Sequence, residues 1–461
     1  MNFNSRELKQ TIQKVYNKVG VKSDRTKNIT KHVLVSFIYK GGSIITSFLL
    51  VPLTISFLDT ENYGIWLTVS SFIGWFSFFD IGLGNGLRNK FAEAKAKDDL
   101  TLAKAYVSSA YYTIASICLL LIIVFFGLNY FIDWTRVFNA NAGMQNDLGI
   151  LMPIIFSFFC LQLVVKLITT IYTADQQHSM QGKITFYSSA LSLLSIWLMT
   201  HFAKSSLLIF GTIFSALPVL VLIGLNIFAF SNRYKQYSPS LILWKKKHLK
   251  DIFGLGMKFF ILQFCGIVLY TSDNLIISKL FSPAAVVPYN IVFKYFSIVS
   301  MGFSIIIAPY WSTITEATQK NDWEWIKNAM DNLLKLVLLT IVVIILMMIF
   351  SNSIFLLWIG TKVTIPTSLT LFIGLFFIIN TIISPFTAFL NGTGKIRLQV
   401  IQAVISAVIN IPLSIYLAIN LGMGSKGVIL ATIICSIPGL ILAPLQYYKI
   451  INKRAVGIFS S

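Results

Sequence analysis

The sequence predicts an all-α membrane protein of about twelve transmembrane helices, arranged as two parallel six-helix bundles around a central cavity. Three observations support this fold class: the chain carries little charge, its apolar runs are long, and its basic segments alternate along the chain. Only 12% of the 461 residues are charged and 56% are hydrophobic, whereas a soluble domain carries about 25% charged residues. The chain therefore has too little charge to cover a water-facing surface.

The apolar runs have the length of membrane spans. A helix of about 20 residues rises about 30 Å, which matches the hydrocarbon core of a bilayer. Charged and turn-forming residues divide the apolar sequence into twelve such runs. They lie near 32–57, 63–86, 107–130, 148–172, 184–201, 205–229, 257–280, 285–312, 333–358, 367–390, 396–420 and 427–447.

The basic residues predict the orientation of these spans. Of the 37 Lys and Arg residues, 29 lie on one side of the predicted membrane, 5 on the other and 3 within spans. Lysine and arginine are enriched in cytoplasmic loops. Both termini and every strongly basic loop are therefore expected in the cytoplasm.

A weak internal repeat divides the twelve spans into two halves. Residues 93–104 and 316–327 are identical at five of twelve positions, and each segment leads into the third span of its half. Because each half has an even number of spans, the two halves have the same orientation, as in transporters built from parallel repeats. The predicted units are a basic N-terminal segment 1–31, bundles 32–229 and 257–447, a linker 230–256 and a tail 448–461.

Five charged residues lie inside predicted spans, namely Lys40, Asp80, Lys166, Asp273 and Lys294. A charge at the bilayer centre costs at least about 2.5 kcal/mol, so these side chains are expected to face a cavity or each other. Their depths predict two pairings, Asp80 with Lys40 or Lys166, and Asp273 with Lys294. The alternative for Lys40 and Lys166 is that they snorkel to the cytoplasmic interface.

A glycine-rich stretch, Phe79–Arg88, closes the second span and places Arg88 at its cytoplasmic mouth. Glycines permit close helix approach beside a cavity. The arginine could bind phosphate with two hydrogen bonds or could simply anchor the helix end.

Other functions are less well supported. The net charge of +20 is dispersed over short loops between apolar runs, which argues against a nucleic-acid partner. The four cysteines lie in apolar runs without metal-ligand spacing, and no catalytic or nucleotide-binding motif appears. The chain is therefore not expected to be an enzyme, and no covalently bound cofactor or metal site is expected.

Several of these features resemble the Wzx-like polysaccharide flippases, which transport O-antigen or capsule repeat units and belong to the multidrug/oligosaccharidyl-lipid/polysaccharide exporter superfamily. The resemblance rests on Tyr63–Trp66, Phe79–Arg88, and Asp273–Ser278 followed by Tyr289. It implies alternating-access translocation of an undecaprenyl-diphosphate-linked oligosaccharide from the cytoplasmic to the outer leaflet. It also implies a location in the bilayer of a bacterial inner (plasma) membrane, a cationic central cavity and polysaccharide polymerase machinery as a partner.

On this interpretation Lys40, Lys166 and Arg88 receive the diphosphate and Lys294 guides it at the middle of the membrane. Asp273 or Asp80 then resets the cycle, with coupling to H⁺ or Na⁺ expected. Two alternatives remain open: a cation-coupled multidrug exporter of the same superfamily, and a membrane polysaccharide polymerase or glycosyltransferase. The buried charges include three lysines against two aspartates, which favours an anionic substrate over a cationic drug.

Overall fold

A computed structural model describes residues 24–76, 83–175, 177, 179–245, 247–248 and 257–460. This part of the chain is helical and contains no β-strand. The N-terminal segment 1–23 and Asp80 lie outside the described residues, as do residues 246 and 249–256 of the predicted linker.

The N-terminal half opens with a long helix that contains the first predicted span and residues 63–75 of the second. This helix, α1, covers Asp24–Trp75 and turns sharply at Asp59, where φ is 68°. The Asp59 carboxylate accepts hydrogen bonds from the backbone and the side-chain amide of Asn62, at 2.9 and 2.7 Å. We call the membrane side of this turn the outer side and the opposite side the cytoplasmic side, and both names follow the predicted orientation. The other helices are α2 Leu83–Ala96, α3 Leu100–Asn129, α4 Trp134–Phe138, α5 Gln145–Val165, α6 Leu167–Ala174, α7 Ser179–Phe202 and α8 Leu207–Ser231.

The C-terminal half contains six long helices. They are α9 Met257–Leu280, α10 Pro283–Gln319, α11 Trp323–Ile359, α12 Thr367–Thr393, α13 Arg397–Ile415 and α14 Ser425–Ile451. A turn of π-helix, Tyr416–Asn420, extends α13. Helices α10 and α11 each have 37 residues, so both continue beyond the bilayer on the cytoplasmic side.

Nine segments of the described chain are long and apolar enough to cross a membrane. Ile38–Trp75 counts as one of them, although the turn at Asp59 divides it into two predicted spans. Helices α7 and α9 occupy the fifth and seventh predicted spans, and both have 24 residues. They are less apolar because α7 carries Lys183 and several hydroxyl residues, while α9 carries Asp273 and Lys279. The helices therefore account for the twelve predicted spans.

The two halves repeat the same helix contacts. Helix α1 packs against α7, as its counterpart α9 packs against α13. The pairs α3–α5 and α5–α8 correspond in the same way to α11–α12 and α12–α14. The prediction of two related helical bundles is thus confirmed.

The predicted sequence repeat is a repeated turn. Asp98 and Asn321 occupy equivalent positions and both adopt a left-handed conformation, with φ of 54° and 57°. The next residues, Asp99 and Asp322, cap α3 and α11, because each carboxylate accepts a hydrogen bond from a backbone N–H three residues later. Asp and Asn tolerate left-handed geometry and are strong N-caps. The short identity between the two halves therefore encodes the same cytoplasmic reversal.

The outward faces of the long helices are apolar. On α3, Leu119 and Ile123 are each 61% exposed, and on α11 Leu338 is 66% exposed. Exposed apolar surface on this scale is typical of a protein in contact with lipid. The chain is therefore a multi-pass membrane protein.

Candidate functional site

The two halves meet along α1, which packs against both α9 and α10. The closest approach lies on the outer side, between Gly64 and Pro283. A β-carbon placed on Gly64 would be 1.8 Å from the Pro283 carbonyl oxygen, and no real side chain fits there. Glycine at this position therefore allows the two backbones to touch.

Hydrogen bonds near the end of α9 strengthen this outer contact. The Ser278 hydroxyl donates to the Phe138 carbonyl at 2.6 Å, and the Asn139 amide donates to the Ser278 carbonyl at 3.0 Å. Lys279 donates to the Arg136 carbonyl at 2.5 Å. We use "outer contact" below for these interactions together with Gly64–Pro283.

The side chain of Lys294, on α10 of the C-terminal half, forms a hydrogen bond with the N-terminal half. Its ammonium donates to the Ser47 carbonyl on α1 at 2.6 Å. Lys294 is eleven residues from the start of α10 at Pro283, which places it about 17 Å from the outer end and close to the bilayer midplane. A lysine ammonium has three donors, so this contact leaves it capacity to bind an anion.

Lys40 lies on the same face of α1 as this contact. Ser47 follows Lys40 by seven residues, which is nearly two helical turns and about 20° of rotation. The Lys40 side chain is half-buried. Lys40 and Ser47, the acceptor for Lys294, therefore lie on one face of α1, about 10 Å apart along the helix.

The predicted pair between Asp273 and Lys294 is wrong in this structure. Asp273 is 3% exposed, and one carboxylate oxygen accepts a hydrogen bond from the Tyr289 hydroxyl at 2.5 Å. Its other oxygen has no hydrogen-bond partner among the described residues. Tyr289 occupies the position opposite Asp273 because α10 begins at Pro283, two residues before the predicted span. Lys294 consequently lies deeper in the membrane than Asp273 and turns toward α1.

An asparagine pair beside Asp273 also joins the halves, and it was not predicted. Asn290 donates to the Asn274 side-chain carbonyl at 2.7 Å, and Asn274 donates to the Ser71 hydroxyl of α1 at 2.6 Å. The sequence did contain a signal for this pair, because Asn274 and Asn290 both lie inside predicted spans. An uncharged polar residue in a membrane helix usually forms a hydrogen bond with a neighbouring helix.

The remaining predicted residues do not meet at Lys294. Arg88 is exposed on α2, and Lys166 is exposed at the break between α5 and α6. The pairing predicted for Asp80 lies outside the described residues. The hydrogen bonds named above between the halves lie at the level of Lys294 or nearer the outer side. The described junction is therefore closed on the outer side.

A cytoplasmic charge cluster, also not predicted, holds the N-terminal half together. The Asp175 carboxylate, just after α6, accepts hydrogen bonds from Lys95, from Arg233 at 2.6 Å and from the Tyr234 hydroxyl at 2.9 Å. Burial raises the pKa of Asp175, but these partners outweigh burial and hold its pKa below the ordinary value. The cluster ties α2 and the end of α8 to α6.

Replacing Asp175 with asparagine is expected to destabilise the N-terminal half. At neutral pH the loss should be at least about 1.5 kcal/mol, because hydrogen bonds to a charged group contribute about 1.5–3 kcal/mol. A lowered pKa stabilises the fold above the ordinary aspartate pKa of about 3.9, and this contribution disappears as the pH falls through the folded value. Melting curves in detergent should show the difference at pH 7 and its decrease below about pH 3.9. Equal melting temperatures of both proteins at pH 7 would disprove a stabilising role.

Comparisons with known proteins agree with this architecture. Residues 29–315 match the family described as polysaccharide biosynthesis protein, and residues 259–416 match the MatE family. A Salmonella typhi protein named for O-antigen transport is 21% identical over 59% of this chain and 62% of its own length. A Yersinia pseudotuberculosis protein named for O-antigen export is 22% identical over 63% of this chain and 67% of its own length. The chain thus spans about three-fifths to two-thirds of these relatives.

Solved structures share the fold. A multidrug resistance MATE family transporter in an inward-facing conformation has a TM-score of 0.70 at 14% identity, over 91% of this chain and 96% of its own. An outward-facing structure of such a transporter has a TM-score of 0.63 at 15% identity, over 94% of this chain and 97% of its own. These similarities show the architecture of two helical bundles. Since the first family match covers more than half of the sequence, the chain belongs to the polysaccharide biosynthesis protein family.

Proposed function

We propose that this protein is a flippase, which moves undecaprenyl-diphosphate-linked oligosaccharides from the cytoplasmic to the outer leaflet for surface polysaccharide synthesis. The observation that carries the proposal is Lys294, a cation near the midplane whose ammonium bridges the two halves at the Ser47 carbonyl. An ionised group is expensive to bury without a partner. An anionic head group is the ligand that this position suits best.

The geometry of the junction fits alternating access. A diphosphate cannot cross hydrocarbon unaided, because its charges would lose their hydration. A polar cleft between the bundles lowers this barrier, while the lipid tail stays in the bilayer. In the described conformation the outer contact is closed, so the substrate enters from the cytoplasm. Breaking the outer contact while the cytoplasmic ends close would release it outside.

The positions of the basic residues fit this direction of transport. Arg88 and Lys166 are exposed on the cytoplasmic half, where they attract the diphosphate electrostatically. Lys40 receives it beside α1 and passes it to Lys294. Both termini lie in the cytoplasm of a bacterial cell with the protein in its inner membrane, as the distribution of lysine and arginine indicates. Polysaccharide polymerase machinery takes the product at the outer leaflet.

Coupling to a cation gradient is assigned to Asp273. Its carboxylate is buried at the outer end of the junction and has one free oxygen among the described contacts, so it can bind H⁺ or Na⁺. Replacing Asp273 with asparagine should abolish the dependence of export on the H⁺ or Na⁺ gradient, because asparagine cannot carry the charge that a cation neutralises. Transport rates in vesicles with imposed gradients measure this effect. Tyr289→Phe is the control, since it removes the hydrogen bond and keeps the charge. An unchanged gradient dependence in the asparagine variant would refute the assignment.

Deleting the gene in its host tests the proposed function. The expected result is loss of the surface polysaccharide and accumulation of the lipid-linked oligosaccharide on the cytoplasmic leaflet. Multidrug export, which the fold alone also permits, predicts normal polysaccharide and increased sensitivity to cationic drugs. A polymerase predicts that single repeat units accumulate on the outer leaflet. Only the first result supports a flippase.

A further inference from the structure

The C-terminal bundle contains a cavity of about 500 Å³ that is separate from the lysines described above. Five helices surround it in the cytoplasmic half of the membrane: α9, α10, α12, α13 and α14. Its volume lies within the range of about 300–1,000 Å³ that is usual for small-molecule sites. Tyr270 and Trp311, at its edge, are 44% and 42% exposed, so the cavity is accessible.

The lining of this cavity is polar but uncharged. Among the described residues it contains no Asp, Glu, Lys, Arg or His. It instead contains five carboxamides and several hydroxyl groups, which can each donate and accept hydrogen bonds. The carboxamides are Asn380, Asn391, Gln399, Gln402 and Gln446. A neutral ligand rich in hydroxyl groups matches such a lining better than an ion does.

Two of these carboxamides retain buried acceptors that point to a ligand. Asn391 Oδ1 and Gln399 Oε1 are buried and have no hydrogen-bond partner among the described residues. Buried polar atoms in native proteins are nearly always hydrogen-bonded. Hydroxyl donors of a sugar could satisfy both atoms, and the rings of Tyr270 and Trp311 offer flat apolar surfaces for the faces of sugar rings.

Close packing against Gly439 holds the Gln402 side chain in the wall of the cavity. A β-carbon on Gly439 would lie 3.2 Å from Gln402 Nε2 and 3.3 Å from its Oε1. The glycine on α14 therefore leaves room for the Gln402 amide between α13 and α14. A larger residue would displace this amide or fill part of the cavity.

The cavity lies at a suitable distance from Lys294. Ser300 lines it and follows Lys294 by six residues on α10, which is about 9 Å along the helix. Six residues also turn by about 120° around α10, so Lys294 and the cavity lie on different faces of this helix. Sugars attached to a diphosphate at Lys294 would reach the cavity around α10, on the cytoplasmic side from which the substrate enters.

We infer that this cavity binds uncharged sugar residues of the lipid-linked oligosaccharide, and that it selects substrates by their sugars while Lys294 binds the diphosphate. This inference rests on the proposed function. The protein would then have two recognition sites. Lys294 at the junction of the halves recognises the diphosphate that all substrates share, and the cavity in the C-terminal bundle recognises the sugars.

The test measures binding of two lipids to the purified full-length protein in nanodiscs. One probe is undecaprenyl diphosphate, and the other is the lipid-linked oligosaccharide extracted from the host after deletion of the gene. Wild-type protein should bind the sugar-bearing lipid at least about tenfold more tightly, because a site built for hydroxyl groups disfavours a ligand that lacks them. Gln399→Leu and Asn391→Leu should each remove most of this preference and leave the affinity for undecaprenyl diphosphate unchanged.

Further variants separate the possible explanations. Thr387→Val, a near-isosteric change in the same lining, should reduce the preference even if a leucine variant fails to fold. Gln236→Leu, at an exposed position in the N-terminal half, should change neither affinity. Lys294→Ala should weaken binding of both lipids. The inference is overturned if the cavity variants keep the preference for the sugar-bearing lipid or weaken both lipids equally. If wild-type protein binds neither lipid, the proposed function itself fails.

Discussion

Lys294→Ala is expected to reduce surface-polysaccharide export to below about a tenth of the wild-type level, with an unchanged amount of protein in the membrane. A hydrogen bond to a charged group contributes about 1.5–3 kcal/mol, which corresponds to a factor of about 10 to 150 in the rate of a step that depends on it. Alanine removes both the cation and its contact with the Ser47 carbonyl. Export in a complemented deletion strain, normalised to membrane protein, gives the measurement.

Two control variants show whether the position of the charge matters. Lys294→Arg keeps the charge near the midplane and should retain part of the activity. Lys204→Ala removes an exposed lysine from the outer loop before α8 and should leave export unchanged. Full export by Lys294→Ala would contradict the central role of this residue.

Gly64→Ala is expected to prevent closure of the outer contact and so to abolish transport. The new methyl group would lie 1.8 Å from the Pro283 carbonyl oxygen, and backbone cannot yield as a flexible side chain can. Helices α1 and α10 must then separate on the outer side. Spin labels at positions 56 and 362, whose side chains are in contact across the junction, should report a longer distance in this variant.

Gly74→Ala provides the matched control. Gly74 lies on the same helix, and a β-carbon there would meet no atom within 4 Å. Both substitutions raise helix propensity equally, by about 1 kcal/mol. Unchanged label distances and normal export in Gly64→Ala would show that the outer contact is not a gate.

The sequence was sufficient to predict the spans and the repeat, because both depend on local patterns. Apolar runs and basic loops located the helices. The turn at Asp98 recurs at Asn321 with equivalent geometry. The prediction also identified Asp273 and Lys294 as charged residues inside membrane spans, and Asp273 is buried. Their pairing could not be predicted correctly, because two residues of error in the start of α10 changed the depth of Lys294.

Interactions between distant segments were beyond sequence reasoning. The acceptor for Lys294 is a backbone carbonyl, which no side-chain pattern reveals. The contact of Gly64 with Pro283 depends on how the two halves dock, and its glycine appeared only as part of a family motif. The cavity in the C-terminal bundle is lined by carboxamides from three helices, and none of them stands out in an apolar sequence.

The most direct test of the central claim is lipid translocation by the purified protein in vesicles. The substrate is the lipid-linked oligosaccharide extracted from the deletion strain, placed in one leaflet and detected in the other by a sugar-modifying enzyme that cannot cross the membrane. We predict rapid transfer with wild-type protein, and transfer close to that of protein-free vesicles with Lys294→Ala. Wild-type vesicles that transfer the lipid no faster than protein-free vesicles would contradict the claim that this protein is a flippase.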